Sequence, residues 1–88
     1  MSTFEVTLGI KLKRRTKTLF RETEEDYLHI VKETVDGRNY LVAKHDNEIE
    51  RVIILNNDNR HVYTCKWEDI INIRIDGEEE TKVKMAHK

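Results

Sequence analysis

The sequence has one cysteine, three glycines and one serine, and each scarcity removes a class of chemistry. Cys65 has no second cysteine with which to form an intramolecular disulfide, which is typical of a reducing cytosol. Glycines stand only at positions 9, 37 and 77, so there is no GxGxxG or GxxxxGK loop to hold a phosphate. Ser2 is the only serine and lies at the chain end, which excludes a serine triad.

Long apolar runs and an excess of one charge are missing as well. No run approaches the roughly 20 apolar residues of a membrane span, and residues 1–17 lack the apolar stretch of a signal peptide. We therefore expect a cytoplasmic protein that does not bind membranes. The 88 residues carry 16 Lys and Arg against 17 Asp and Glu, so no overall field drives the chain toward nucleic acid. We expect one small domain over residues 1–88, with a frayed tail from about residue 84 and a core too thin to enclose a deep cleft.

Residues that favour β-strands dominate what is present. Val, Ile and Thr supply 24 positions, and their branched Cβ atoms pack well on a pleated surface. Apolar side chains alternate with other residues from Phe4 to Leu12, which predicts a half-buried strand in which Gly9 marks a bend or bulge. The polar residues 14–18 then predict a break, and Leu19 and Phe20 a second short strand.

The segment TEEDYLHIVKETVDG has two readings. As a helix, it has Thr23 as N-cap, acidic residues in the first turn and Gly37 after the last turn. As a strand, it runs from Tyr27 to Val35 and ends in an Asp-Gly pair that favours a type I′ hairpin. We favour the strand, with residues 38–44 as its hairpin partner, and keep a helix over 24–35 as the alternative.

Turn signals divide the remaining chain into further short strands. They occur at residues 45–47, 56–59 and 76–77. Residues 49–55 and 60–66 are predicted to form a hairpin, and the second Asp-Gly pair is predicted to join residues 71–75 to a tail strand. The tail strand carries Thr81, Val83 and Met85.

The segment CKWEDIINIRI, residues 65–75, contains a break in the alternation of apolar and polar residues. Ile70 is out of phase with Ile71, Ile73 and Ile75, so an irregular piece must separate the two strands. Residues 67–70 have the length of one 3₁₀ turn, which would place Trp67 and Ile70 inward. The fold expected from these patterns is all-β: an antiparallel meander that forms a barrel or a strongly curled sheet, with α+β as the alternative.

Residues 27–75 resemble two groups of small β proteins. A short turn before a final Ile-rich strand resembles the Sm-like barrels and the end of YolD-like bacterial proteins. The distinctive residues of this resemblance are Trp67, Asp69 and Ile70. The resemblance implies a binding module, since Sm-like barrels bind RNA and form rings and YolD-like proteins are thought to accompany translesion polymerases. No family binding motif can be matched to particular positions here.

Two kinds of surface residues are candidates for binding. The first is a basic run that suits phosphates, with an aromatic ring to stack on a base; it comprises Lys11, Lys13, Arg14, Arg15, Lys17, Phe20 and Arg21. The alternative is that these residues form an edge strand whose cations prevent it from pairing with other chains. The second is the set of aromatic residues that would anchor a protein partner if they face outward, or fill the core if they do not: Tyr40, Tyr63 and Trp67.

Two acidic clusters balance the basic run, at residues 22–26 and 76–80. They suit a basic partner or a self-complementary homo-oligomer. His61 and Cys65 are four residues apart, but no further paired ligands complete a zinc site, and we expect neither a metal nor a cofactor. Without a nucleophile, a base and a pocket placed together, we expect no enzyme.

The function expected from the sequence is a non-catalytic protein-binding adaptor or regulator that uses an exposed strand edge and segregated charge clusters. The first alternative is a nucleic-acid-binding barrel that uses residues 11–21. The second is a small inhibitor from a phage or mobile element.

Overall fold

The described part of the chain is built almost entirely of antiparallel strands. The computed structural model describes residues 1–80, and the side chains of residues 1–79. Its strands are β1 (Ser2–Lys17), β2 (Glu22–Gly37), β3 (Asn39–His45), β4 (Glu48–Leu55), β5 (His61–Lys66), β6 (Ile70–Ile75) and β7 (Glu78–Glu80). A 3₁₀ turn, Trp67–Asp69, separates β5 from β6. The all-β prediction and the predicted 3₁₀ turn are confirmed, and the helix over 24–35 is wrong because those residues belong to β2.

The strands form two sheets that pack on one another. One sheet has the order β2-β1-β6-β7 and the other the order β3-β4-β5. Among residues 1–80 no backbone pairing closes the two sheets into a barrel, so the prediction of a barrel is not confirmed. The expected tail strand with Thr81, Val83 and Met85, and the frayed tail from residue 84, lie outside the described residues.

The core lies between the sheets and follows the alternation of β1. Phe4, Val6 and Leu8 point from β1 toward the three-stranded sheet, where the Phe4 ring meets the edge of Tyr40 at a centroid distance of 6.3 Å. Burial of each such side chain contributes about 1.5–3 kcal/mol. The remaining core members come from the other strands: Val52, Ile54, Cys65, Ile70 and Ile73.

The break in phase near Ile70 has two structural causes. The 3₁₀ turn lets the chain cross from the three-stranded sheet to β6, and the pairing of β1 with β6 then shifts register between Thr7 and Leu8. This shift leaves Ile70 and Ile73 buried and turns Ile71 out to solvent. The prediction that Ile71 shares a face with Ile73 is therefore wrong, because Ile71 is the extra residue of a bulge and has no partner in β1.

Gly37 has a different role from the one predicted. It is the last residue of β2 and pairs with Ser2 of β1. Since β2 and β3 belong to different sheets, the predicted β2–β3 hairpin with a type I′ turn is wrong. Gly37 is buried against the side chain of Ile54, where its lack of a Cβ permits close approach. The chain instead changes sheets at Arg38, whose N–H donates to the Leu55 carbonyl at 2.7 Å.

The turns at residues 46–47 and 76–77 agree with the sequence. Asp46 and Asn47 have φ of 50° and 65°, and Asp76 and Gly77 have φ of 51° and 85°. Two successive residues with positive φ are typical of type I′ turns, which match the twist of paired strands. The hairpin of β4 and β5 around residues 56–59 is also confirmed.

The predicted break after Leu12 is wrong. Residues 14–17 continue β1 because each lies opposite a residue of β2 in the antiparallel register. Leu19 and Phe20, predicted as a strand, lie in the turn that joins the two strands. Polar composition suggested a loop, whereas cross-strand pairing supports a strand in the same residues.

The packing at Gly37 yields a stability prediction. We expect Gly37→Ala to lower the free energy of unfolding by about 1–3 kcal/mol, because a Cβ there would overlap the Ile54 side chain and lie 3.1 Å from the Leu55 carbonyl oxygen. Gly9→Ala is the matched control. A Cβ at position 9 would lie 2.8 Å from Ile71 Cδ1, the movable end of an exposed side chain, so we expect a loss of about 1 kcal/mol or less.

Urea unfolding followed by the fluorescence of Trp67 measures both values. Equal losses for the two variants would contradict the close packing of Gly37 against β4.

Candidate functional site

The most distinctive feature of the surface is a projecting β-hairpin. We call it the hairpin arm; it comprises residues 9–17 of β1, the turn 18–21 and residues 22–30 of β2. Within residues 1–80, β6 pairs with β1 only from Phe4 to Leu8, so beyond Leu8 the hairpin has no neighbouring strand on either side. At about 3.3 Å per residue the arm is about 27 Å long. It explains a longest dimension of 57 Å and a radius of gyration of 16.6 Å, against about 12 Å for a compact chain of this length.

The basic run and the first acidic cluster form the two strands of the arm. The register places Lys13 opposite Asp26, Arg14 opposite Glu25, Arg15 opposite Glu24 and Lys17 opposite Glu22. Lys13 Nζ lies 3.8 Å from Glu24 Oε1. Exposed pairs of this kind contribute only about 0–1 kcal/mol each. Their main effect is on the surface charge of the arm. The basic and acidic clusters are separate in the sequence but adjacent in space, so positive and negative charges lie side by side.

The end of the arm is apolar and exposed. Leu19 and Phe20 have 90% and 93% of their surfaces open to solvent. Thr18 shapes this turn, because both its N–H and its hydroxyl donate to the Arg21 carbonyl, at 2.8 and 2.9 Å. Two large apolar side chains are thus held on a short turn at the extreme end of the molecule. We call Leu19 and Phe20 the apolar tip.

Exposed apolar side chains also lie on both faces nearer the base of the arm. Leu12 and Tyr27 are opposite each other on the face that continues the core, and the guanidinium of Arg14 lies 5.1 Å from the centre of the Tyr27 ring. Leu28 and Ile30 lie on the opposite face. There the side chains of Leu28 and Ile71 converge over Gly9. We call Leu28, Ile30 and Ile71 the base patch.

The aromatic residues predicted to bind a partner do not form one surface. Tyr40 is buried in the core, and Tyr63 and Trp67 are half-buried and pack against it. Burial, aided by the nearby charges of Cys65 and Glu33, raises the pKa of the Tyr63 hydroxyl to about 12. The alternative that these rings fill the core therefore describes Tyr40 fully and Tyr63 and Trp67 in part.

A shallow groove of about 350 Å³ lies beside Trp67. Its walls come from the β3–β4 turn and from the 3₁₀ turn, and they carry His45, Glu48, Glu50, Arg51, Lys66 and Glu68. Charges of both signs alternate around it. Such an arrangement favours no single ligand charge.

Cys65 and His61 are not brought together as a reactive pair. Cys65 is buried, while His61 is exposed at the beginning of β5. The pKa of the Cys65 thiol is raised from 9.0 to about 11, mainly by burial and further by the charge of Asp69. No cluster of three or more His, Cys, Asp or Glu within residues 1–80 is placed to hold a metal ion.

The second acidic cluster has structural partners. Asp76 Oδ1 accepts a hydrogen bond from the Thr3 N–H at 2.9 Å, and this bond lowers the pKa of the Asp76 carboxyl. Glu79 Oε1 accepts from the Asn72 side chain at 2.7 Å. These bonds fasten the start of β1 and the edge of β7. The side chain of Glu80 lies outside the described part.

Sequence reasoning missed the apolar tip as a surface feature and missed the base patch altogether. The sequence did contain a signal for the base patch. Apolar residues occur at odd and at even positions of β2, which places apolar groups on both faces of the strand: Tyr27, Leu28, Ile30 and Val31. The protrusion itself follows only from the short length of β6. No described helix has the length and apolar character needed to cross a bilayer.

The environment of Cys65 predicts slow thiol chemistry. At pH 8 we expect iodoacetamide to alkylate the native protein about a hundredfold more slowly than a thiol of ordinary pKa, because two pKa units lower the thiolate fraction by that factor. The pKa of the Cys65 thiol is higher in the folded protein than in the unfolded protein, so protonation of the thiol favours the folded state. This contribution to the free energy of unfolding is complete below about pH 9 and is lost as the pH rises toward 11. Mass spectrometry of the adduct measures the rate, with urea-unfolded protein as the control. A native rate equal to the unfolded rate would show that the thiol is accessible.

Comparison with known protein families, with curated proteins and with solved structures finds no match. Any function therefore has to be inferred from the geometry and chemistry of the chain itself.

Proposed function

We propose that this protein is a non-catalytic protein-binding module whose recognition element is the hairpin arm. The observation that carries the proposal is the distribution of exposed apolar groups. Of the ten large hydrophobic side chains exposed among the described residues, six belong to the arm: Leu12, Leu19, Phe20, Tyr27, Leu28 and Ile30. Single exposed apolar residues are ordinary, but a concentration of them on one projecting element is typical of an interaction surface.

The backbone of the arm supports the same function. Beyond Leu8 both of its strands have an outer edge that no other strand within residues 1–80 covers. A free edge presents N–H and C=O groups that a partner strand can pair with, and neighbouring side chains then add specificity. A ribbon of two hydrogen-bonded strands also loses less conformational entropy on binding than a flexible loop of equal length.

The apolar tip supplies the anchor. A Leu and a Phe that are almost fully exposed can be buried completely in a partner, and burial of each contributes about 1.5–3 kcal/mol. Large side chains at the centre of a contact often dominate its binding energy. The charges along the arm would then provide orientation more than affinity.

The register disfavours the nucleic-acid alternative. Each cation at positions 13, 14, 15 and 17 lies opposite a carboxylate of β2. The Cβ atoms of facing residues on paired strands are about 5 Å apart, so these carboxylates lie within the Debye length of about 10 Å at 0.1 M salt, and phosphates that approach β1 also meet negative charge. The proposal requires only two packed sheets, not a closed barrel. A phage or mobile-element inhibitor falls within it, since an inhibitor also binds a protein.

The first test places a photo-crosslinking amino acid at position 20 in the native host. We expect a discrete protein adduct from position 20 and none from position 62, an exposed site on the three-stranded sheet. In the second arm of the test, Leu19→Ser together with Phe20→Ser removes the apolar tip, and we expect the partner's affinity to fall by at least about tenfold. The free energy of unfolding should change by less than about 0.5 kcal/mol, because both residues are exposed.

Leu41→Ser with Val62→Ser is the matched control, since it also removes two exposed apolar side chains but lies away from the arm. The control should keep its affinity. Absence of any adduct at position 20, or equal losses for both double variants, would contradict the proposal.

The second test addresses nucleic acid directly. We expect titration with fluorescent single-stranded RNA and DNA at 0.15 M salt to show no binding tighter than about 100 µM, the weak end of non-specific affinities. Arg14→Glu with Arg15→Glu should leave that result unchanged. Micromolar binding that the double variant abolishes would establish the alternative in place of the proposed function.

A further inference from the structure

The arm carries two apolar surfaces and two oppositely charged strands, and these four features are mutually complementary. The apolar tip is at one end of the arm and the base patch is at the other. Cations follow β1 and carboxylates follow the paired part of β2. A chain with both halves of a complementary pair on one element can present them to a second copy of itself.

Charge excludes the symmetric ways of pairing two arms. If the β1 edges of two copies met, cations would face cations, and if the β2 edges met, carboxylates would face carboxylates. Like charges on facing strands are unfavourable. The only edge pairing with opposite charges facing each other joins β1 of one copy to β2 of the next.

The size of the molecule then determines the direction of that pairing. If both arms pointed the same way, their centres would be about 10 Å apart, the width of two strands. The molecule measures 29 by 23 Å across its shorter dimensions, so the two bodies would overlap. Arms that point in opposite directions keep the bodies apart, and β1 of one copy then runs parallel to β2 of the other.

The spacing of the charges suggests one register for this parallel pair. Arms that point in opposite directions turn the second copy face over, so odd-numbered residues of β1 lie beside odd-numbered residues of β2, and even beside even. With Arg14 of one copy beside Glu24 of the next, Arg15 is level with Glu25. The same register brings the turn with Leu19 and Phe20 level with Leu28 and Ile30 of the next copy. The apolar tip therefore reaches the base patch.

We propose that the partner of the arm is a second copy of this chain, with the apolar tip of one copy docked on the base patch of the next and its basic strand beside the acidic strand. The proposal rests on the proposed function and names the partner for the same arm. Each copy uses one tip and one patch, so the contact is head-to-tail and builds a chain or a ring.

Two variants with complementary defects test the proposal on the purified full-length protein. The tip variant is Leu19→Ser with Phe20→Ser, and the patch variant is Leu28→Ser with Ile71→Ser. Each keeps one half of the contact. We expect wild-type protein to associate as its concentration rises, and each variant alone to associate at least about tenfold more weakly. An equimolar mixture of the two should form a 1:1 dimer that stops growing, because only one productive contact remains.

Sedimentation and native mass spectrometry measure these states, and circular dichroism checks that each variant is folded. The control pair Leu41→Ser and Val62→Ser should associate like the wild type. Salt at 1 M, where the Debye length is about 3 Å, should weaken the wild-type association. The tip variant alone keeps the proposal testable if the patch variant does not fold, because both tip residues are almost fully exposed.

A wild-type protein that stays monomeric up to about 1 mM, or a mixture that forms no dimer, would overturn the proposal. The crosslink from position 20 distinguishes self-association from binding to a different protein. An adduct of twice the 10.5 kDa chain supports self-association, whereas an adduct with a different protein only would leave the binding function intact and remove the homotypic partner.

Discussion

The architecture depends on the difference in length between β1 and the strand that pairs with its inner part. β1 has 16 residues and β6 has six, so β6 covers only Phe4 to Leu8. Up to Leu8 the alternating side chains of β1 fill the space between two sheets. Beyond Leu8 the same alternation continues, but among residues 1–80 only β2 accompanies it. One uninterrupted strand thus provides both the core and the projecting arm.

The charges of the arm permit this protrusion. A two-stranded ribbon has little apolar burial of its own, and isolated hairpins are only marginally stable in water. Opposite charges on facing strands favour the native register, and Arg14 over the Tyr27 ring adds a contact near the base. The same charges protect each edge from pairing with an identical edge. Stability of the arm and selectivity of its contacts therefore arise from one arrangement.

The periodicity of the sequence predicted most of the fold. Alternation identified the inner half of β1 and, where it breaks, the 3₁₀ turn, because a buried face imposes period two wherever it exists. Turn signals identified the β4–β5 hairpin. Alternation did not identify residues 14–17 as a strand, since the charged residues there have no buried face and are ordered instead by pairing with β2 across the turn at residues 18–21. The role of Gly37 was missed because Asp-Gly suggests a turn locally, and only the approach of Ile54, which is distant in the sequence, explains a buried glycine at the end of β2.

The sequence by itself determined that this is a small, highly charged, β-rich chain without phosphate loops, and it singled out the basic run and Phe20. These follow from composition and local spacing, which need no knowledge of distant contacts. Only the tertiary structure decided that the basic and acidic clusters face each other, that Tyr40 is buried, and that Leu19 and Phe20 stand at the end of an arm. Each of those results depends on which strands are neighbours and on their register, which composition and local spacing alone do not give.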